Sequence, residues 1–257
     1  MTLKGIDGQA DRHLTGVMIL HGFTANLDSV RALFGPLAGM GLNLVTPLLR
    51  GHGQHSPDAL RGVTWQDWLT DAEQAMTSSA GVDGKLIVLG HSMGALLALH
   101  LAARHPELVD SVILATPAIR LASLLAPGRP LHFLAPFISA VIDRWDVQAC
   151  FADPACAIKP AQYCWAPTAT IMSLFDLVQA TIPVLSRVSA PTLIIHGRNE
   201  SIVLPESVDI IMHDISTPSD EKSVVWLEKS EHQIFCDCER DIAVSAVREF
   251  IAGRIGK

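Results

Sequence analysis

The segment Gly90-His91-Ser92-Met93-Gly94 constrains the fold of this chain more than any other feature. An apolar run, Leu86 to Leu89, leads into it, and helix-forming residues, Ala95 to Ala103, lead out. The run before the motif reads as a buried strand and the sequence after it as a helix. The two can follow each other directly only through a very sharp turn. Glycines two residues either side of Ser92 let neighbouring backbone approach where a Cβ would clash. The serine hydroxyl is thereby presented at the carboxyl end of a strand, with a helix N-terminus behind it. The letters G-x-S-x-G alone occur by chance in many chains. Strand, motif and helix together predict a nucleophile on a strained backbone.

The same alternation recurs along the chain. Val17 to Leu20, Leu42 to Thr46, Lys85 to Gly90, Ser111 to Ala115, Thr192 to Ile195 and Ser223 to Leu227 read as strands. Helical spacing separates several of them, at Asp28 to Met40, Thr64 to Ser79 and Met93 to Arg104, with Thr64 as a helix cap. Strands alternating with amphipathic helices predict an α/β chain: a mostly parallel sheet with helices on both faces. A chain of 257 residues fits a single domain, 1–257. From about 117 to 189 the alternation stops and prolines cluster, with helical patches at Leu131 to Ile142 and Ala169 to Leu185. So long a structureless loop is improbable in a compact domain, so this segment is expected to be a helical lid insertion over the sheet edge.

Charge and cysteine usage narrow the function classes. A formal net charge of −7 with no basic stripe gives no phosphate-binding footprint, which excludes nucleic acid as an expected partner. The lead from Met1 to Gly16 is polar and lacks a signal-peptide core, so a cytoplasmic location is expected. The longest apolar stretch, Leu86 to Ala103, is broken by His91, Ser92 and two glycines, which argues against stable membrane insertion. The five cysteines are odd in number and show no metal-ligand spacing. They are expected to be reduced thiols, Cys236 and Cys238 pointing to opposite faces of a strand, with no metal.

A serine hydroxyl is a poor nucleophile at neutral pH and needs a base to take its proton. In sheets built around this motif the chain order is serine, acid, histidine. His232, in Ser230-Glu231-His232, follows the last strand and alone among the 11 histidines combines that order with a loop at a strand's end. His100 and His105 are expected at helix surfaces or edges, and neither His52 nor His55 is expected to be catalytic. Glu200 is the first carboxylate after the strand Thr192 to Ile195 and is the candidate acid. The strand before the insertion ends Thr116-Pro117-Ala118-Ile119-Arg120, with no carboxylate to offer instead. Donors for an oxyanion would be the backbone N–H groups of Met93, just after the serine, and Phe23, after the first strand.

These motifs together resemble the bacterial carboxylesterases and monoacylglycerol lipases of the α/β-hydrolase superfamily. The likeness runs through His21-Gly22-Phe23-Thr24, Leu49-Arg50-Gly51-His52-Gly53, Thr64-Trp65-Gln66-Asp67-Trp68, Gly90 to Gly94, Gly197 to Val203 and Ser230-Glu231-His232. It covers nearly the whole chain outside the insertion. The resemblance implies an α/β-hydrolase fold and Ser92, Glu200 and His232 as a catalytic triad. It implies an oxyanion hole at Phe23 and Met93, no metal or organic cofactor, and a small-molecule ester as substrate. Short- to medium-chain acyl esters or monoacylglycerols are the expected class. A thioesterase, a carbon–carbon bond hydrolase or a low-activity binding protein would use the same scaffold. One departure stands out: the family's acid position carries aspartate, and here it is Glu200.

Overall fold

The structure, a computed structural model, describes residues 13–80 and 84–255. The expectation about the N-terminal lead therefore falls largely outside the described residues. Strand β1 (His13–Leu20) is followed by a 3-10 turn (Leu27–Leu33) and a short helix α1 (Phe34–Ala38), where helical spacing predicts one continuous helix. Next come β2 (Asn43–Val45), helix α2 (Trp65–Ala80), β3 (Gly84–His91), α3 (Met93–Arg104) and β4 (Val109–Ala115). At the start of α2 the Asp67 carboxylate accepts from both the N–H and the hydroxyl of Thr64, at 2.9 Å each, which secures the first turn.

The segment after β4 departs from expectation. It contains α4 (Ala135–Val141) and α5 (Thr168–Thr181), as helical spacing predicts, but also β5 (Arg144–Asp146) and β6 (Trp165–Pro167). These two pair antiparallel as a separate sheet. Three-residue strands leave too short a period-2 pattern to be read from sequence. The main sheet resumes with β7 (Thr192–Gly197), then α6 (Glu206–Asp214), β8 (Lys222–Leu227) and α7 (Arg240–Ala252).

Six strands form the main sheet in the order β2-β1-β3-β4-β7-β8, every neighbouring pair parallel. Alternate residues of each central strand go to opposite layers. Met18, Leu20, Val88 and Leu114 pack under α2, α3 and α5, while Val17, Ile19, Leu89 and Ile113 pack toward α1 and α7. Both faces are dry, so these strands read as continuous apolar runs. The carboxyl ends of β1, β3 and β7 lie at one edge of the sheet, and the loops that leave them carry the residues considered next.

Three sequence expectations are corrected here. His100 is buried within α3, its Nε2 3.2 Å from Thr181 Oγ1, because α5 covers that helix face. Cys156 and Cys238 form a disulfide with Cα atoms 5.3 Å apart, so the cysteines are not all free thiols. Cys236 and Cys238 lie in a turn before α7 rather than on a strand. The pairing partner is 82 residues away in sequence, which spacing cannot reveal. Asp153 lies beside the pair, but disulfide sulfurs carry no thiolate to hold a metal.

Candidate active site

At the end of β3 the chain must turn into α3 within one residue, and Ser92 makes that turn with φ 56° and ψ −114°. A positive φ on a residue with a Cβ is strained and persists only where the surroundings enforce it. The enforcement is visible in its glycines. A Cβ on Gly90 would collide with the Gly94 carbonyl, and one on Gly94 with that of Leu20. Helix α3 can therefore start directly against β1 and β3. Its first N–H, on Met93, is one of those that a helix leaves without an internal acceptor.

Ser92 Oγ lies 3.0 Å from Nε2 of His232, and Nδ1 of His232 lies 2.8 Å from Oε2 of Glu200. Three residues spread over 140 positions are thus brought into one hydrogen-bonded row. The carboxylate can only accept, so the imidazole proton sits on Nδ1, and Nε2 is left to accept from the serine. The second carboxylate oxygen of Glu200 accepts from the N–H groups of Ile202 and Val203, at 2.8 and 3.1 Å. Burial alone would raise the carboxyl pKa; His232 and these two donors outweigh it and hold Glu200 below the usual carboxylate range.

Space for this row comes from another close approach. A Cβ on Gly197, at the end of β7, would collide with the carbonyl of Ser230, so glycine lets the His232 loop settle against the Glu200 loop. The His232 loop is held from its other side by two acids. Glu239 accepts from the N–H groups of Glu228, Lys229 and Ser230, and buried Asp237 accepts from Glu231 N–H at 2.8 Å. Neither acid carries a sequence signal of this role, which depends on the N–H groups that the folded loop brings to them.

The loop leaving β1 completes the ring. Gly22 sits so near that a Cβ there would come within 3.3 Å of Ser92 Cβ. His21 Nδ1 is 2.9 Å from the Gly22 carbonyl, and its Nε2 is 3.2 Å from Leu49 N. In a trans peptide the Gly22 C=O and the Phe23 N–H point in opposite directions. Fixing the carbonyl on the His21 side therefore turns the Phe23 N–H the other way. His21 is fully buried with its pKa lowered to about 4, and His52 and His91 are lowered to about 3, each mainly by desolvation. These rings remain neutral at physiological pH. Neither His52 nor His55 joins the Ser92 row.

Above Ser92 lies a cavity of about 430 Å³, within the size range of small-molecule sites. Its floor is Ser92, His232, Gly22 and Phe23, and its roof comes from the segment between β4 and β7. The lining has two characters. Leu121, Ile171, Leu174 and Phe175 are apolar, whereas Gln148, Gln162, Ser201 and Gln233 are polar. Gln233, next in the chain after His232, donates to Gln162 Oε1 at 3.2 Å.

The chain as a whole is similar to known proteins. The family described as "Serine aminopeptidase, S33" matches residues 12–239. A thermostable monoacylglycerol lipase from Bacillus sp. (strain H-257) is 30% identical over 249 residues, spanning 96% of this chain and 94% of that protein. A carboxylesterase from Bacillus subtilis (strain 168) is 24% identical and spans 91% of each chain. Among solved structures, one reported with the metagenome-derived lipolytic enzymes LipS and LipT superposes with a TM-score of 0.83. It has 27% identity and covers 95% of this chain and 94% of its own.

Proposed function

The chain belongs to the serine aminopeptidase S33 family of α/β-hydrolases, and from that premise we propose that it is a serine hydrolase of carboxylic esters. The substrates proposed are short- to medium-chain acyl esters or monoacylglycerols. One observation carries the reading: Ser92 Oγ, His232 and Glu200 stand in hydrogen-bond sequence at the floor of a mostly apolar cavity.

In this mechanism Ser92 Oγ attacks the ester carbonyl carbon while His232 Nε2 takes the hydroxyl proton. Glu200 keeps the imidazole in the correct tautomer and offsets the charge of the imidazolium. The tetrahedral oxyanion accepts from the N–H groups of Met93 and Phe23; such a donor typically supplies about 3–4 kcal/mol of transition-state stabilisation. The imidazolium then protonates the departing alcohol, leaving an acyl group on Ser92. Water, deprotonated by the same histidine, attacks that acyl carbon, and the imidazolium returns its proton to Ser92 as the acid leaves.

The mixed apolar and polar lining of the cavity supports an ester with an aliphatic acyl part and a hydrophilic alcohol part. The alcohol must leave next to His232 Nε2, and polar Gln233 adjoins that residue in the chain. The insertion, about 117–189, would act as a lid over one α/β domain. Thioesterase and carbon–carbon bond hydrolysis share the triad and are separated by substrate. The contacts that saturate the Glu200 carboxylate count against a silent binding protein. Panels of p-nitrophenyl esters, monoacylglycerols, acyl-CoAs and aminoacyl p-nitroanilides test the choice. Turnover of the amides or acyl-CoAs ahead of the esters would sink it.

A cytoplasmic enzyme without a stable membrane anchor belongs to the same reading. The helical stretch Thr168–Arg187 is long and apolar enough to span a bilayer, yet half of it is buried in the fold. The Cys156–Cys238 disulfide counts against the cytoplasm, where glutathione keeps most thiols reduced. Mass spectrometry of the alkylated protein from its own cells would decide between a reduced and an oxidised compartment.

A further inference from the structure

Two adjacent residues of one strand end hold opposite ends of His232. Ser92 Oγ meets its ring at 3.0 Å, and His91 Nε2 lies 2.9 Å from its main-chain carbonyl. A carbonyl only accepts, so the proton of His91 is on Nε2 and Nδ1 is bare. That Nδ1 is buried without a partner among the described residues and lies toward Gly22, where a Cβ would come within 3.1 Å of it. The ring packs tilted against the His232 ring, centroids 5.1 Å apart, and edge-on to Phe235 at 6.3 Å.

We propose that His91 is a positioning residue that fixes the main chain of His232 relative to Ser92. Its bond closes a short circuit of contacts: from Ser92 along the backbone to His91, across to the His232 carbonyl, and through the imidazole back to the Ser92 hydroxyl. The other anchors of the loop have a different reach. Glu239 bonds within the loop itself, and Asp237 joins Glu231 of the loop to Ala152 N of the segment between β4 and β7. Ser201 and Asn199 tie it to the segment after β7, through Glu231 and the Glu228 carbonyl. Those contacts shape the loop and set it against Glu200. The His91 bond ties it to β3, the strand that delivers Ser92, and so sets the hydroxyl–imidazole separation.

Histidine suits this task because its ring offers one donor at long reach on a rigid plane. Asparagine would fall short, and lysine or arginine would bring an unpaired charge into the interior. Burial lowers the His91 pKa to about 3, so the donor does not acquire a charge while the enzyme works. The sequence position also fits: the residue before the nucleophile leaves the strand on the side facing the His232 loop.

The inference rests on the triad reading, whose own failure would show as ester turnover surviving in Ser92→Ala. Given that control, the test compares His91→Gln with His91→Met, which match in length and differ in the donor. His91→Gln should keep kcat within about threefold of the parent, whereas His91→Met should lose about ten- to thirty-fold in kcat with little change in KM. Rates of phosphonate labelling at Ser92 should follow kcat. Equal kcat in the two folded variants would overturn the proposal. Should His91→Met fail to fold, nitrogen NMR of the unaltered protein decides. A neutral His91 ring protonated on Nε2 supports the role, and a charged ring or a proton on Nδ1 overturns it.

Discussion

His232 and Glu200 are joined through Nδ1 and Oε2 at 2.8 Å, and the remaining oxygen of Glu200 is saturated by two main-chain N–H groups. A glutamate thus stands where the family resemblance leads to the expectation of aspartate, and both of its oxygens accept. The longer side chain is accommodated by backbone: it bends back to take the N–H groups of its own loop, at Ile202 and Val203. Glu200→Gln should lower kcat by about four orders of magnitude, because an amide placed there stabilises the wrong tautomer and no imidazolium. Glu200→Asp should fall between the two, since the shorter arm can reach His232 or its own loop but not both. Steady-state kinetics on a p-nitrophenyl ester measures this. A Glu200→Gln enzyme with near-parent kcat would remove Glu200 from the triad.

Removal of the proposed nucleophile is the sharper test. Ser92→Ala should reduce kcat by about a million-fold while leaving the fold intact, since the side chain makes few contacts beyond His232. An alkyl phosphonate with a good leaving group should add its mass to the peptide containing Ser92. Labelling of any other serine with equal speed would refute the assignment.

Acid should destabilise the protein well before its carboxylates titrate. His21, His52, His91 and His100 have folded pKa values lowered to about 4, 3, 3 and 4 from 6.5, chiefly by desolvation. A histidine with a depressed folded pKa stays neutral in the native state while the unfolded chain takes up a proton. Its stabilisation is therefore complete above pH ~6.5 and falls as pH drops toward the folded values, by up to ~1.4 kcal/mol per pH unit for each ring. Glu200 also weakens the fold in acid, but only as pH falls from the ordinary glutamate value of 4.5 toward its own depressed one, below this window. Urea midpoints should decline steadily from about pH 6.5 to about pH 4.5. A flat profile across that range would show that these rings are not the buried neutral groups described.

The disulfide gives a separate stability prediction. Cys156 lies in the segment between β4 and β7 and Cys238 in the turn after His232, and the same two segments are bonded through Ala152 N to Asp237 at 2.9 Å and Ile158 N to Cys236 O at 2.8 Å. Closing a loop of this length restricts the unfolded chain by about 4–5 kcal/mol in the chain-entropy picture. Cys156→Ser, or reductant added to the parent, should lower Tm by several degrees. Calorimetry with and without reductant reads it, and an unchanged Tm means that the bridge does not form.

The main sheet was legible because its strands are buried on both faces, so runs such as Ile87 to Leu89 stand out without alternation. Ser92, Glu200 and His232 were legible through chain order, since each follows a strand of that sheet. What escaped reading depends on contacts between distant segments. The antiparallel pair Arg144–Asp146 and Trp165–Pro167 is too short to leave a period. The disulfide joins residues with no common motif, and the burial of His100 comes from α5, which the sequence of α3 does not announce. Asp237 and Glu239 look like surface acids in the sequence and gain their meaning only from the N–H groups they meet.

Chain-length preference should be set at the wall between two cavities. Ser123, Trp145, Ile171 and Phe175 line both the 430 Å³ cavity over Ser92 and a smaller one of about 60 Å³ beside α4. An acyl chain growing away from Ser92 along Leu174 and Phe175 meets this wall, and apolar Leu125, Ala135 and Ile138 lie beyond it. Ile171 belongs to α5, a rigid element, so enlarging its side chain narrows the passage rather than shifting the helix. Ile171→Trp should lower kcat/KM for longer acyl esters by about ten-fold or more, as one or two methylenes denied burial cost roughly 0.8 kcal/mol each and overpacking adds to that. Acetyl and butyryl esters should be turned over at nearly the parent rate. If short and long esters decline together, the wall does not select chain length and the acyl group lies in another arm of the cavity.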